Sequence, residues 1–168
     1  MPKEKSYEQI LSTLTALCSG AEHCEHEMRE KMRRWGVDNS TQQKVIDYLV
    51  AEHYIDEHRY CRAFVREKIR FNHWGQRKIE QALYAKRIDR SVQTEVLSEV
   101  SDEEYVEVLS SLLRTKESSI KANSDYEKYQ KLIRFALGRG FTFNIIKQCL
   151  DCECEVDDDI DYLIDNDD

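Results

Sequence analysis

The stretch Met28-Arg-Glu-Lys-Met32-Arg-Arg-Trp-Gly36-Val37-Asp38-Asn-Ser-Thr41-Gln-Gln-Lys-Val45-Ile46 decides the fold, because its apolar spacing returns twice further along the chain. Met28, Met32, Val37, Thr41, Val45 and Ile46 advance by steps of 4, 5, 4, 4 and 1. The same steps run through Ile79, Leu83, Ile88, Val92, Val96 and Leu97, and through Leu132, Ala136, Phe141, Ile145, Cys149 and Leu150. The copies are offset by 51 and then 53 residues, and Thr41 is the one polar member. Steps of four keep side chains on one helix face, and the step of five breaks the phase between two helices.

The punctuation repeats with the spacing. Gly36 and Gly140 stand four residues after Met32 and Ala136, where a left-handed residue ends a helix. The second copy has Arg87 there, a departure expected to carry strain. Asp38, Asp89 and Thr142 follow one residue after the apolar Val37, Ile88 and Phe141, each an expected N-cap for the next helix. A further helix precedes each pair. Ser6 with Gln9 opens one carrying Tyr7, Ile10, Leu11, Leu14 and Leu17. Ser101 with Glu104 opens another carrying Tyr105, Val106, Leu109, Leu112 and Leu113, and Tyr60, Phe64 and Ile69 mark the weaker middle one.

The predicted fold class is therefore all-α: three tandem three-helix, helix-turn-helix-like repeats at 6–55, 56–100 and 101–150, forming an elongated curved rod. Residues 114–126 read as an extra polar loop, and 151–168 as an acidic tail expected to be disordered. Composition agrees, since the single proline is Pro2 and only five glycines interrupt good helix formers. Repeats of about 50 residues bury little surface alone, so neighbours are expected to lean on one another.

The net charge of −8 hides a division. Residues 151–168 hold ten of the 33 acidic groups and no Lys or Arg, leaving 25 basic against 23 acidic in the rest. Residues 59–90 carry ten basic groups against three acidic ones. No run approaches the roughly 20 apolar residues that cross a bilayer. The first residues lack the apolar core of a secretory signal. A cytoplasmic protein with reduced thiols, making no membrane contact, is the expectation.

Arg59, Arg62, Arg66 and Arg70 recur at helical spacing, on the side opposite Phe64, and Arg77, Lys78, Lys86 and Arg87 follow. Spaced guanidiniums suit phosphates, whose counterions they displace, and suit the carboxylates of a protein partner equally well. Phe71-Asn-His-Trp-Gly75 comes next; Trp74 beside Gly75 fits a helix–helix corner better than a base-stacking platform. Cys149, Cys152 and Cys154 give one C-x-x-C, short of the two pairs that a structural zinc site needs, so no metal is expected. The sequence has no phosphate-cradling glycine loop, and His26-Glu-Met-Arg-Glu30 is not His-Glu-x-x-His. The expectation is a non-enzymatic protein without catalytic residues or cofactor.

The run Tyr54-Ile-Asp-Glu-His-Arg-Tyr60, with Lys68, Trp74-Gly75, Lys78-Ile79, Leu83 and Ile88-Asp89, resembles the signature of the RecX regulatory family. The resemblance spans residues 6–150 and is most specific in the middle repeat. It implies three tandem three-helix modules and a partner, the RecA nucleoprotein filament. Recombinase, ATPase and co-protease activities would then be restrained in DNA recombination, repair and the SOS response. It also implies contact with single- or double-stranded DNA, directly or through the filament, by a protein expected to be monomeric. The eight contact residues (Arg59, Arg62, Arg66, Arg70, Arg77, Lys78, Lys86 and Arg87) are chosen by charge geometry, not carried over from the family. Arg87 in place of the family's turn glycine, Cys24 in place of a capping serine, and the acidic tail are departures. The competing reading is a helix-turn-helix transcription regulator, with Gln42, Gln43 and Gln93 as its available base readers.

Overall fold

The computed structural model describes residues 4–150; the acidic stretch 151–168, with Cys152 and Cys154, lies outside them. Among the described residues are nine α-helices and no strand. They are α1 (Tyr7–Gly20), α2 (Glu25–Arg34), α3 (Asn39–Ala51), α4 (Glu57–Arg70), α5 (Gln76–Ala85), α6 (Arg90–Ser98), α7 (Asp102–Glu117), α8 (Asp125–Gly138) and α9 (Phe143–Cys149).

Most helices begin where a polar side chain takes up an otherwise unpaired amide. Ser6 Oγ accepts from the Gln9 N–H (3.2 Å) while Gln9 Oε1 accepts from the Ser6 N–H (3.0 Å), the reciprocal pair expected at α1. Asp38 accepts from the Thr41 N–H (2.8 Å), Asp89 from the Ser91 N–H (3.0 Å) and Ser101 from the Glu104 N–H (3.4 Å). Thr142 departs from expectation, because its side chain makes no capping bond at α9. At α2 the Cys24 thiol does not replace a serine cap. The Glu27 carboxylate instead accepts from both the Cys24 N–H (3.2 Å) and its thiol (3.4 Å). The polar loop predicted for 114–126 is shorter. Helix α7 runs to Glu117, and Ser124 starts α8 by accepting from the Glu127 N–H (3.1 Å). Polar residues there cover exposed helix ends, and Ser124 with Glu127 is the start signal that a reading for polarity overlooks.

The three corners α2–α3, α5–α6 and α8–α9 share one geometry. Gly36 (φ 73°), Arg87 (φ 54°) and Gly140 (φ 90°) are left-handed. The N–H of the next residue reaches back five positions in each, Val37 to Met32 (3.0 Å), Ile88 to Leu83 (3.2 Å) and Phe141 to Ala136 (3.2 Å). The left-handed residue's own N–H bonds three back, to Arg33 (3.0 Å), Tyr84 (2.9 Å) and Leu137 (2.9 Å). This pair of bonds closes a helix with a left-handed C-cap. All eighteen residues of the repeating series are buried or half-buried, so the sequence register is the structural one.

The chain divides into two compact units, the residues up to Val65 with Ala82–Val96, and Arg66–Gln81 with those from Leu97 on. The first has a core of Ile10, Leu14, Met28, Met32, Val45, Ile46, Leu49 and Ile55. In the second, α7 packs on α8 and α9, burying Tyr105, Leu109, Leu113, Leu132, Ile133 and Ile145.

The segment Tyr54–Tyr60 builds the entry to α4. His53 is left-handed (φ 61°), the Tyr54 N–H closes α3 on Leu49 O (2.8 Å), and the Tyr54 ring stacks on Tyr48 at 6.4 Å. Ile55 is buried. Asp56 accepts from the Arg59 N–H (3.0 Å), and that bond holds its carboxyl below its ordinary value. Tyr60 is buried, and burial pushes its hydroxyl far up, with Cys24 and Glu27 adding to the effect.

Two stability predictions follow from this geometry. Arg87→Gly relieves a left-handed side chain and should raise stability by up to about 1 kcal/mol, whereas Gly36→Ala should lower it by about as much. Open space surrounds the added Cβ at Gly36, so backbone strain alone sets that loss; urea titration reads both. Asp56→Ala should cost about 1 kcal/mol near pH 7 as a lost cap. Because the folded pKa is depressed, Asp56 stabilises above its ordinary value of 3.8. The difference from wild type should shrink as pH falls through the folded value in parallel titrations.

Candidate interaction surface

Helix α4 is amphipathic. It buries Tyr60, Cys61, Val65 and Ile69 and exposes Arg59, Arg62, Arg66 and Arg70 on the opposite side. The arginines are not equivalent. Arg59 is engaged at home: Nε bonds the Glu22 carboxylate, and Nη2 donates to His53 O (3.0 Å) and Tyr54 O (3.3 Å). Its guanidinium holds the α3–α4 junction. Arg62 lies in the first unit, and Arg66 and Arg70 in the second, all exposed.

The other predicted contacts separate in the same way. Lys86 pairs with Glu27 (3.8 Å), beside the Cys24 thiol. Burial opposes ionisation of Glu27, but the Cys24 N–H and the Lys86 ammonium hold its carboxyl below the ordinary value. Burial pushes the Cys24 thiol up to about 12, so it is no nucleophile at neutral pH. Arg87 is exposed on its corner and Arg77 is exposed at the start of α5.

Lys78 belongs to a group that sequence reasoning did not assemble. Its ammonium lies 4.9 Å from the centroid of the Trp74 ring, and that of Lys68 lies 5.0 Å from the same ring. Trp74 is half-buried beside Gly75, in keeping with a corner. The Gly75 N–H donates to Arg139 O (2.8 Å) and the Arg77 N–H to Gly140 O (2.9 Å). Backbones meet there so closely that a Cβ on Gly75 would lie 2.3 Å from Phe141 N, and one on Gly140 2.5 Å from Lys78 Cβ. Only glycine fits at these two positions. The Lys116 and Arg139 cations lie 5.1 and 5.4 Å from the Phe135 centroid. Lys116 comes from α7, and Arg139 follows α8 at the corner, where its carbonyl accepts from the Gly75 N–H. Lys68 lies six residues from its ring, Arg139 four and Lys116 nineteen, and a reading by charge spacing alone does not pick out contacts between a cation and a ring.

The glutamines do not support base reading. Gln42 and Gln93 are buried, and each side-chain amide donates to the carbonyl five residues back, Val37 O and Ile88 O, both at 2.9 Å. Gln43 accepts from Arg29 (2.7 Å) and donates to Asp47 (2.8 Å). Among the described residues no group of three or more His, Cys, Asp or Glu is placed to hold a metal ion, and no helix is long and apolar enough to cross a membrane.

Comparison with known proteins bears on the same segments. The RecX second three-helix domain matches residues 56–97, the third 102–150 and the first 16–49. A regulatory protein RecX from Vibrio parahaemolyticus serotype O3:K6 (strain RIMD 2210633) is 30% identical over 139 residues, covering 83% of this chain and 88% of that protein. One from Clostridium botulinum (strain Eklund 17B / Type B) is 31% identical over 125 residues, covering 73% of this chain and 58% of its own. The crystal structure of RecX from Lactobacillus salivarius, 19% identical, aligns with a TM-score of 0.77 over 95% of this chain and 96% of that one. Another crystal structure, of a regulatory protein RecX, also 19% identical, gives 0.80 over 87% and 73%. These two establish likeness of fold, and with the domain matches and the Vibrio relative they lead to one assignment: the chain belongs to the RecX family of regulatory proteins.

Proposed function

We propose that this protein binds RecA nucleoprotein filaments and restrains strand exchange, DNA-dependent ATP hydrolysis and co-protease activity without catalysing a reaction itself. Family membership carries the reading, and the exposed arginine face of α4 supports it. Of the eight predicted contacts, Arg59 and Lys86 are engaged internally by Glu22 and Glu27. The proposed contacts to filament or DNA are the remaining exposed cations of this set, chosen for their exposure: Arg62, Arg66, Arg70, Arg77 and Arg87, with Lys78 beside Trp74. A guanidinium on an exposed helix face can present its planar fork to phosphate or carboxylate.

The test is RecA-driven strand exchange and ATP hydrolysis with and without the protein. Wild type should slow both. The triple reversal Arg62→Glu, Arg66→Glu, Arg70→Glu should abolish the effect while the helical circular dichroism stays unchanged, because these side chains lie off the apolar face. Added salt should weaken binding through screening and counterion uptake. Binding to one palindromic duplex, with no effect on RecA filaments, would replace this reading with a transcription regulator.

A further inference from the structure

Phe71 follows the last residue of α4 and is 79% exposed, whereas the other four phenylalanines are buried or half-buried. The turn that carries it is bonded at both ends. The Phe71 N–H donates to Glu67 O (2.9 Å) and the Trp74 N–H to Lys68 O (3.0 Å). Between them His73 takes a left-handed backbone (φ 55°), which strains any residue with a side chain. Trp74 is half-buried at its corner, so of the two aromatics in this turn one serves the fold and the other stands in water. Phenylalanine has no polar atom to offset that exposure. Its surroundings are basic. Arg66 and Arg70, both exposed, lie about one turn apart on the helix that ends at Phe71. Residues 66–78, all within the second unit, hold five basic groups against one acid, Glu67.

We infer that Phe71 is a stacking platform for one base of single-stranded DNA, with Arg66 and Arg70 on the neighbouring phosphates. An aromatic face accepts the face of any base, and adjacent guanidiniums hold the strand by its backbone. Bases inside a duplex are already stacked on both sides and offer only their edges in the grooves. Phe71 therefore discriminates single from double strand, which the arginines alone do not, because every strand carries phosphates. An apolar pocket on a protein would also receive a phenylalanine, but the excess of positive charge around this one favours a polyanion. The inference rests on the DNA contact within the reading above and deepens it, by naming the form of DNA and the residue that selects it.

The test is fluorescence anisotropy of the full chain with labelled oligodeoxythymidylate and with a labelled duplex of the same length. Phe71→Ala should weaken binding of the single strand by about tenfold or more and leave duplex binding unchanged. Phe71→Leu, apolar but unable to stack, should lose as much, and Phe71→Trp should restore the affinity. The side chain is exposed, so the urea midpoint of Phe71→Ala should match that of the unmodified chain. Salt dependence separates the two roles. Arg66→Gln with Arg70→Gln should reduce the slope of log affinity against log salt by about 1.4 for the single strand, whereas Phe71→Ala should leave it unmoved. No binding of oligodeoxythymidylate by the unmodified chain overturns the proposal, and so do equal losses on single strand and duplex. Full affinity in Phe71→Leu overturns it as well, by making the contact apolar rather than stacked. Unchanged DNA binding in Phe71→Ala, with a dimer of the unmodified chain that the substitution dissolves, would assign the residue to contact between copies instead. RecA is absent throughout, so failure here and failure of the filament reading are separate results.

Discussion

At Gly36, Arg87 and Gly140 the chain must place one residue at positive φ, because without it two helices cannot turn back within a two-residue corner and still satisfy their last carbonyls. The rest of each helix pair depends on that constraint. With the corner fixed, the apolar residues of the preceding helix and those of the next meet across it, and all three copies bury the same positions. The five-residue step in the sequence is the trace of this corner. Two buried glutamines extend the design. Gln42 and Gln93, 51 residues apart, each reach the carbonyl just past the left-handed residue. Ile146 stands at the corresponding place in the third copy, where apolar packing replaces the bond.

Glycine serves a different end at Gly75. There the backbone of one corner touches the start of α5, and the amides of Gly75 and Arg77 find carbonyls on Arg139 and Gly140. Free amides at a helix start must be paired. A corner 65 residues later in the sequence does it here. The Trp74-Gly75 pair and Gly140 thus answer one steric demand from opposite sides.

The helix register and the corners were legible in the sequence because both follow from local periodicity and backbone chirality. The strain at Arg87 was legible for the same reason. The length of the α7–α8 connection was not, since exposed helix ends and loops share a polar composition. The cap at α9 was not legible, because Thr142 has the right chemistry and extended backbone for a cap, yet its side chain makes no capping bond. At the candidate site, residue type identified the arginines of α4, but only tertiary packing shows that the Arg59 guanidinium closes the junction before its own helix. Spacing along a helix gives the face of a side chain and says nothing of a carboxylate supplied from another element.

That distinction bears on what the family signature encodes. Tyr54, Ile55, Asp56 and Tyr60 are spent on ending α3, starting α4 and filling the first core, and Gly75 and Ile79 on the start of α5. These signature residues serve helix ends, corners and the core. Exposed arginines can shift by a turn and still meet a phosphate backbone, because counterion release depends on charge number more than on the position of any one charge. Binding residues must be found from exposure and from the partners that each charge already has.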